Sequence, residues 1–274
     1  MSLSNNATRI IVSIFAIPVI LAASYFGGIY FFIFTLLISL AAFYEFVQLS
    51  KNKGANANLW FGFVSIILLL INTFKVFADF ISIISFIVFA ISLIELFRNK
   101  GSAILNIGTT LLGIFYIGLF SASLFSIREF YPNVGEIYFR GGYLIITIFA
   151  SIWICDSAAY YGGTALGKHK LFLRVSPNKS WEGAVFGFVF AIITMVLAQI
   201  IVLKFLSLST AIVIGIIVGI FGQIGDLIES LIKRDAGVKD SSSVIPGHGG
   251  IFDRFDSLLY TAPIILIYLK YFGR

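Results

Sequence analysis

Apolar runs of about 17 residues or more recur along the whole chain, and each is long enough as a helix to cross the roughly 30 Å hydrocarbon core of a bilayer. Few folds can absorb such runs. A segment in hydrocarbon must satisfy its backbone hydrogen bonds internally, which leaves helices and closed barrels. The runs are continuous and do not alternate apolar with polar, so they read as helices. Charged residues make up 12% of the chain, against about 25% in soluble domains. The expected architecture is an all-α polytopic membrane protein of about nine transmembrane helices, near residues 9–26, 29–49, 59–75, 79–97, 104–127, 141–163, 181–203, 208–230 and 257–272. No repeat or low-complexity linker divides the chain. Residues 1–274 are therefore read as one membrane domain, with 1–140 as scaffold helices and 141–274 as catalytic helices and loops.

The net charge of +6 has a membrane explanation, because basic loops orient helices, and no nucleic-acid partner is expected. With nine spans, most of the 19 Lys and Arg fall on the side that holds the long loops 164–180 and 231–256. That asymmetry places the amino terminus and both polar loops at the cytoplasmic face. The single cysteine, Cys155, leaves no intrachain disulfide. Ala22-Ala23-Ser24 is faintly like the end of a signal peptide, but a second apolar run follows at once and the first is read as retained. Glu45 and Glu95, near span ends and basic loops, are expected to form surface ion pairs.

Chemistry gathers in the second half. In GIIVGIFGQIGDLIESLIK (215–233), Gly215, Gly219, Gly222, Asp226, Glu229 and Lys233 share one helical face. The glycines let a neighbouring helix approach closely. Asp226 at a helix centre would cost about 2.5–3.5 kcal/mol. Either an ion pair with a neighbouring Lys or Arg, or a cation held in a wet cavity, offsets that cost. WICDSAAYYGG (153–163) repeats the theme: Asp156 lies in an apolar run with Tyr160 and Gly163 on its face. It either bonds to Tyr or Ser hydroxyls or serves the same cation chemistry. In SPNKSWEG (176–183), Ser176-Pro177 suits a turn, Ser180 can cap a helix that begins at Trp181, and Glu182 complements that helix's dipole. Lys179 and the free amides of the helix start also make an anion site. In KDSSSVIPGHGGIFDRFD (239–256), Gly247, Gly249 and Gly250 permit turns that aim successive amides at an anion. Lys233, Arg234, Lys239 and Arg254 add positive charge. Asp253 and Asp256, three apart, share a face if a helix begins there. His248 is expected to hydrogen-bond rather than to act as a base. Carboxylates beside phosphate-binding groups suit Mg²⁺, so the inventory points to metal-assisted chemistry on phosphates at one membrane face.

The stretch SLIKRDAGVKDSSSVIPGHGGIFDRFD (230–256) closely resembles the signature of the phosphatidate cytidylyltransferase family, also called CDP-diacylglycerol synthases. DSAAYYGGTALGKHK (156–170) and SPNKSWEG look like the family's other two blocks. The specific match covers residues 153–183 and 226–263. The resemblance implies an enzyme of the bacterial inner membrane, a homodimer that uses Mg²⁺, alone or with a second metal ion. It implies that CTP and phosphatidic acid are converted to CDP-diacylglycerol and pyrophosphate in phospholipid biosynthesis. By resemblance, Asp226 and Asp253 fall at the metal centre. Lys239, Asp240, His248, Gly249 and Gly250 fall in the signature loop at the active site. Asp156, Ser176, Lys179, Ser180 and Glu182 align with the other polar blocks. Two positions depart from the pattern: Ser242 stands where Gly is usual, and Asn178 where a second Lys is common beside Lys179. The first is expected to stiffen the loop and the second to weaken CTP binding.

That reaction suits the residues. A phosphate monoester is already anionic near neutral pH and needs no Ser-His-Asp machinery. The obstacle is repulsion between it and an anionic nucleotide, which metals and Lys or Arg offset. Three alternatives were weighed. A CDP-alcohol phosphotransferase carries an Asp-Gly start to its motif, and no Asp-Gly pair occurs in this chain. A transporter would bind ions at mid-membrane between inverted repeats, whereas these polar residues cluster near one face. An inert lipid-binding scaffold would show no Mg²⁺-dependent affinity for CTP.

Overall fold

The computed structural model describes residues 5–242, 244–245 and 249–273, with side chains from residue 11 onward. It is mostly helical. The helices are α1 (Asn5–Phe26), α2 (Gly28–Lys51), α3 (Leu59–Phe74), α4 (Phe80–Arg98), α5 (Ala103–Gly113), α6 (Phe120–Arg128), α7 (Phe139–Leu166), α8 (Trp181–Ile201), α9 (Leu208–Ile217), α10 (Gln223–Asp235) and α11 (Phe252–Tyr271). A π-helical turn over Ile114–Leu119 joins α5 to α6, and another over Val218–Gly222 joins α9 to α10. Ala103–Arg128 and Leu208–Asp235 are thereby continuous. Among the described residues, six helical segments are long and apolar enough to cross a membrane: Gly28–Lys51, Phe80–Arg98, Ala103–Arg128, Gly135–Leu166, Trp181–Ile201 and Leu208–Asp235. The apolar helices Ile11–Phe26 and Leu59–Phe74 are shorter, and α11 carries Asp253, Arg254 and Asp256 in its first turns. Large apolar side chains such as Phe86, Phe89, Leu96 and Phe97 of α4 and Val185, Leu197 and Ile200 of α8 are exposed. That is the surface of a protein whose solvent is lipid.

Helix starts follow local rules. Asn58, Asp79, Ser102, Ser180 and Ser207 each accept a hydrogen bond from an amide in the first turn of α3, α4, α5, α8 and α9. One local expectation fails. Ser176-Pro177 does not form a turn but opens strand β2 (Ser176–Ser180), which pairs antiparallel with β1 (Lys170–Phe172), Lys170 opposite Ser180. The turn lies just before it, at 173–175. A proline fits this two-stranded ribbon because its missing N–H can face outward.

The chain forms two compact units. The first comprises Met1–Ile20, Gly28–Ser126 and Ile232–Arg254; the second comprises Leu21–Gly27, Ile127–Leu231 and Phe255–Arg274. In the first, α2 packs on α3 and on the α5 π-turn around Phe31, Phe43, Ile66, Leu69, Ile114 and Ile117, all fully buried. Phe43 fills the space that Gly62 and Gly113 leave open. A polar knot ties α4 to α5: Asn106 donates to Glu95 (2.5 Å) and to the Lys100 carbonyl (2.6 Å), and its Oδ1 accepts from the Asn56 amide (2.6 Å). Glu95 does pair with a neighbour, Arg98 at 3.3 Å, but as a buried residue rather than a surface one.

In the second unit, α7 and α8 lie in close contact through glycine. A Cβ on Gly183 would stand 2.6 Å from the Ala159 carbonyl oxygen, and one on Gly187 would stand 2.9 Å from that of Cys155. The small-residue face expected on the Asp226 helix is used as such. Gly215 and Gly219 abut the α8 backbone at Ile192 and Phe188, and Gly222 faces Thr261 and Ser257 of α11. At the end of α1, Arg128 is fully buried. It donates to the carbonyls of Ser24 (2.5 Å) and Tyr25 (2.8 Å), and its guanidinium stacks over Tyr138, 4.4 Å from the ring centroid.

Candidate active site

The second unit brings three carboxylates together. Asp226 and Glu229, one turn apart on α10, meet Asp256 of α11, and ligand oxygens of all three lie within 4.8 Å of one another. Glu229 and Asp256 are buried and Asp226 is half-buried. Gly225 makes the approach possible: a Cβ there would sit 2.6 Å from Cβ of Tyr260 and 3.0 Å from the Asp256 carbonyl oxygen. Lys179, delivered by strand β2, donates to Asp226 Oδ2. Ser230 reaches Asp226 Oδ1 at 3.4 Å, and the Ser257 amide donates to Asp256 Oδ1 at 2.6 Å. Asp156 of α7, which is exposed, lies near enough for its charge to act on Asp256, as do the charges of Asp226 and Lys179.

Three carboxylates this close repel one another unless a cation or proton lies among them. Lys179 meets one of the three. The donor set is all hard oxygen, the chemistry that Mg²⁺ and Ca²⁺ prefer, so these residues fit a divalent metal ion.

The hairpin residues serve this neighbourhood in different ways. Ser180 caps α8 as expected, accepting from the Gly183 amide at 3.2 Å. Glu182 accepts from the backbone amide of His169 (3.2 Å) and contacts its ring Nδ1 (2.6 Å), so it ties the start of α8 to the residue just before β1. Ser176 is half-buried, and Asn178 is exposed.

The first unit holds a second polar cluster. Asp253, in the first turn of α11, accepts from Lys233 Nζ (2.6 Å), the Ser241 amide (3.0 Å), the Ser241 hydroxyl (3.0 Å) and the Gly250 amide (2.8 Å). Glu45 of α2 accepts from the Ser241 hydroxyl (2.8 Å), the Ser242 hydroxyl (2.6 Å) and the amides of Ile251 (2.9 Å) and Phe252 (2.8 Å). Successive amides at 250–252 do point at anions, as the glycines promise, and here the anions are the protein's own carboxylates. Gly249 has φ +83, which favours glycine, and a Cβ on Gly250 would collide with Ser241 and Glu45. Lys239, Asp240, Arg234 and Arg254 are exposed, and Arg234 donates to the Val238 carbonyl at 2.9 Å. His248 and Gly247 lie outside the described residues.

Among the described residues, the surface ion pair expected of Glu45 is not found. Its side chain is 1% exposed. A carboxylate inside an otherwise apolar span was the available signal, since such groups are retained only with partners, but nothing local names those partners. Glu229 lies on the Asp226 face in the sequence, but its place on that face gives it no role until Asp256 stands beside it.

The sequence matches the model of the cytidylyltransferase family over residues 7–272. It is 34% identical over 266 residues to a phosphatidate cytidylyltransferase of Brucella suis, covering 97% of this chain and 94% of that protein. It is 32% identical over 269 residues to a phosphatidate cytidylyltransferase of Staphylococcus saprophyticus, covering 96% of each.

Proposed function

Because the chain belongs to the cytidylyltransferase family, we propose that it transfers a cytidylyl group from CTP to phosphatidic acid in phospholipid biosynthesis. A phosphate oxygen of the lipid attacks the α-phosphorus of CTP. The new P–O bond gives CDP-diacylglycerol, and the bond from the α-phosphorus to its bridging oxygen breaks to release pyrophosphate. The observation that carries this reading is the gathering of Asp226, Glu229 and Asp256 under Lys179 in a chain that matches named phosphatidate cytidylyltransferases over nearly its whole length.

Asp226, Glu229 and Asp256 would hold Mg²⁺. Asp253, the second metal ligand that the resemblance names, carries its carboxylate against Lys233. A divalent ion, when bound, offsets the repulsion between the two anionic substrates and takes up charge on the leaving pyrophosphate. Lys179 and Lys233, each on an aspartate, provide positive charge for phosphate oxygens. The exposed Lys239, Arg234 and Arg254 draw the anionic nucleotide toward the loop. The apolar helices cross the bacterial plasma membrane nine times in this reading, and the polar loops face the cytoplasm, where CTP is available. The lipid bilayer supplies phosphatidic acid laterally, and the enzyme works as a homodimer.

The test is turnover of purified protein in detergent with phosphatidate, labelled CTP and Mg²⁺, with and without chelator. Lipid-soluble label that chelator abolishes is the expected result; no transfer by folded protein refutes the reading. Asp226→Asn and Asp253→Asn should each cut turnover by about 10²-fold or more in protein that elutes as wild type. A wild-type rate in Asp226→Asn removes that residue from the metal site, and one in Asp253→Asn removes Asp253 from the catalytic centre.

A further inference from the structure

The geometry points to Glu45 as a positioning residue that ties Ser241 and Ser242 to the start of α11 at Ile251 and Phe252. The inference rests on the reading above, in which these residues belong to the active site. Glu45 sits on α2, far from every motif, yet its four donors among the described residues are Ser241, Ser242, Ile251 and Phe252. Oε1 takes the Ser242 hydroxyl and the Ile251 amide; Oε2 takes the Ser241 hydroxyl and the Phe252 amide. One side chain thus joins Ser241 and Ser242 to the start of α11. The Ile251 and Phe252 amides are unpaired donors at the start of α11, so Glu45 caps that helix from another element. The negative charge also suits the helix's positive end.

A buried carboxylate is tolerated only when its lone pairs are met by good donors, and here both oxygens are. By contrast, Ser39, also buried on α2, donates within its own helix, to the Thr35 carbonyl. Ser241 adds direction. Its one hydroxyl proton lies within reach of Glu45 (2.8 Å) and Asp253 (3.0 Å), which links the clasp to the aspartate of the signature. The Ser242 hydroxyl meets Glu45 at 2.6 Å, a bond that a glycine at this position could not make.

The experiment compares Glu45→Gln, Ser242→Gly and the double variant with wild type. Glutamine keeps the volume but turns an NH₂ toward a backbone N–H. Two measurements are made, hydrogen exchange of backbone amides and the separate kcat and KM for CTP. In Glu45→Gln, the amides of Ser241, Ile251 and Phe252 should exchange about tenfold to a hundredfold faster, the worth of one charge-assisted hydrogen bond, with α7 and α8 protected as in wild type. KM for CTP should rise by a similar factor, and kcat should fall by less. Ser242→Gly should shift both in the same sense by less, and should add nothing to Glu45→Gln. The idea is overturned by wild-type exchange and KM in Glu45→Gln, by additive effects in the double variant, or by uniform loss of protection throughout the protein. Should Glu45→Gln not fold, Ser242→Gly decides alone, since wild-type exchange there is equally fatal. Inactive wild-type protein would overturn the reaction reading, while the exchange data still decide whether Glu45 holds the loop.

Discussion

Replacing Gly225 by alanine should damage the enzyme although it improves the helix. Gly→Ala in a helix interior gains about 1 kcal/mol of intrinsic stability. Against that, the new Cβ would stand 2.6 Å from Cβ of Tyr260 and 3.0 Å from the carbonyl oxygen of Asp256. Carbon atoms pack at about 3.5–4.0 Å, so α11 must move off α10 by roughly 1 Å. Such overpacking costs about 1–3 kcal/mol, which leaves global stability near or modestly below that of wild type. The displaced element carries Asp256 away from Asp226 and Glu229, whose ligand oxygens now lie within 4.8 Å. A misplacement of about 1 Å can cost about 10²-fold in rate. Gly222→Ala is the matched control. It faces the same helix, but its Cβ would meet Thr261 and Ser257 at 3.7 and 3.8 Å, ordinary contact. The assay is turnover against Mg²⁺ concentration, alongside thermal unfolding in detergent. Gly225→Ala should lose about 10²-fold in rate and need more Mg²⁺ for half its maximal rate, with Gly222→Ala near wild type. Wild-type kinetics in Gly225→Ala, or equal damage from both, would refute the argument that close approach of α10 and α11 assembles the carboxylates.

Two more outcomes follow from packing. Arg128→Ala should lower stability by about 3–5 kcal/mol, read as a fall in unfolding temperature, because it strips the Ser24 and Tyr25 carbonyls of their buried donor. Arg128→Lys should not restore it, since an ammonium lacks the planar fork that reaches both; unfolding like wild type in either variant contradicts this. Gly250→Ala should abolish turnover, because its Cβ has no room beside Ser241 and Glu45, and an active variant would show that the loop tolerates another path.

What the sequence made legible was local. Ser180 caps α8 because a cap depends on the next three residues. The apolar helices appear where unbroken apolar runs require them. Asp226 and Asp256 were picked out as polar groups in an apolar setting. The failures are non-local. Ser176-Pro177 reads as a turn until Lys170–Phe172 is there to pair with it. Glu45 lies 196 to 207 residues from its partners, and no spacing rule spans that distance. Gly225 was overlooked for a geometric reason. The small-residue face was drawn at about 100° per residue for one neighbour, and Gly225 lies off that face, toward Tyr260 rather than α8. The π-turn at Val218–Gly222 also breaks the phase of any regular projection.

The distance from Glu45 to its donors also sets an order of events during synthesis. At about 5–20 residues per second, α2 leaves the ribosome some 10–40 seconds before Ser241 to Phe252 exist. Throughout that interval a membrane-inserted helix holds Glu45 with none of the donors it has in the folded protein. A carboxyl group in hydrocarbon without partners is costly. Arrival of α11 then supplies the Ser241, Ser242, Ile251 and Phe252 donors. Packing of α2 and docking of the start of α11 are thereby coupled across most of the chain.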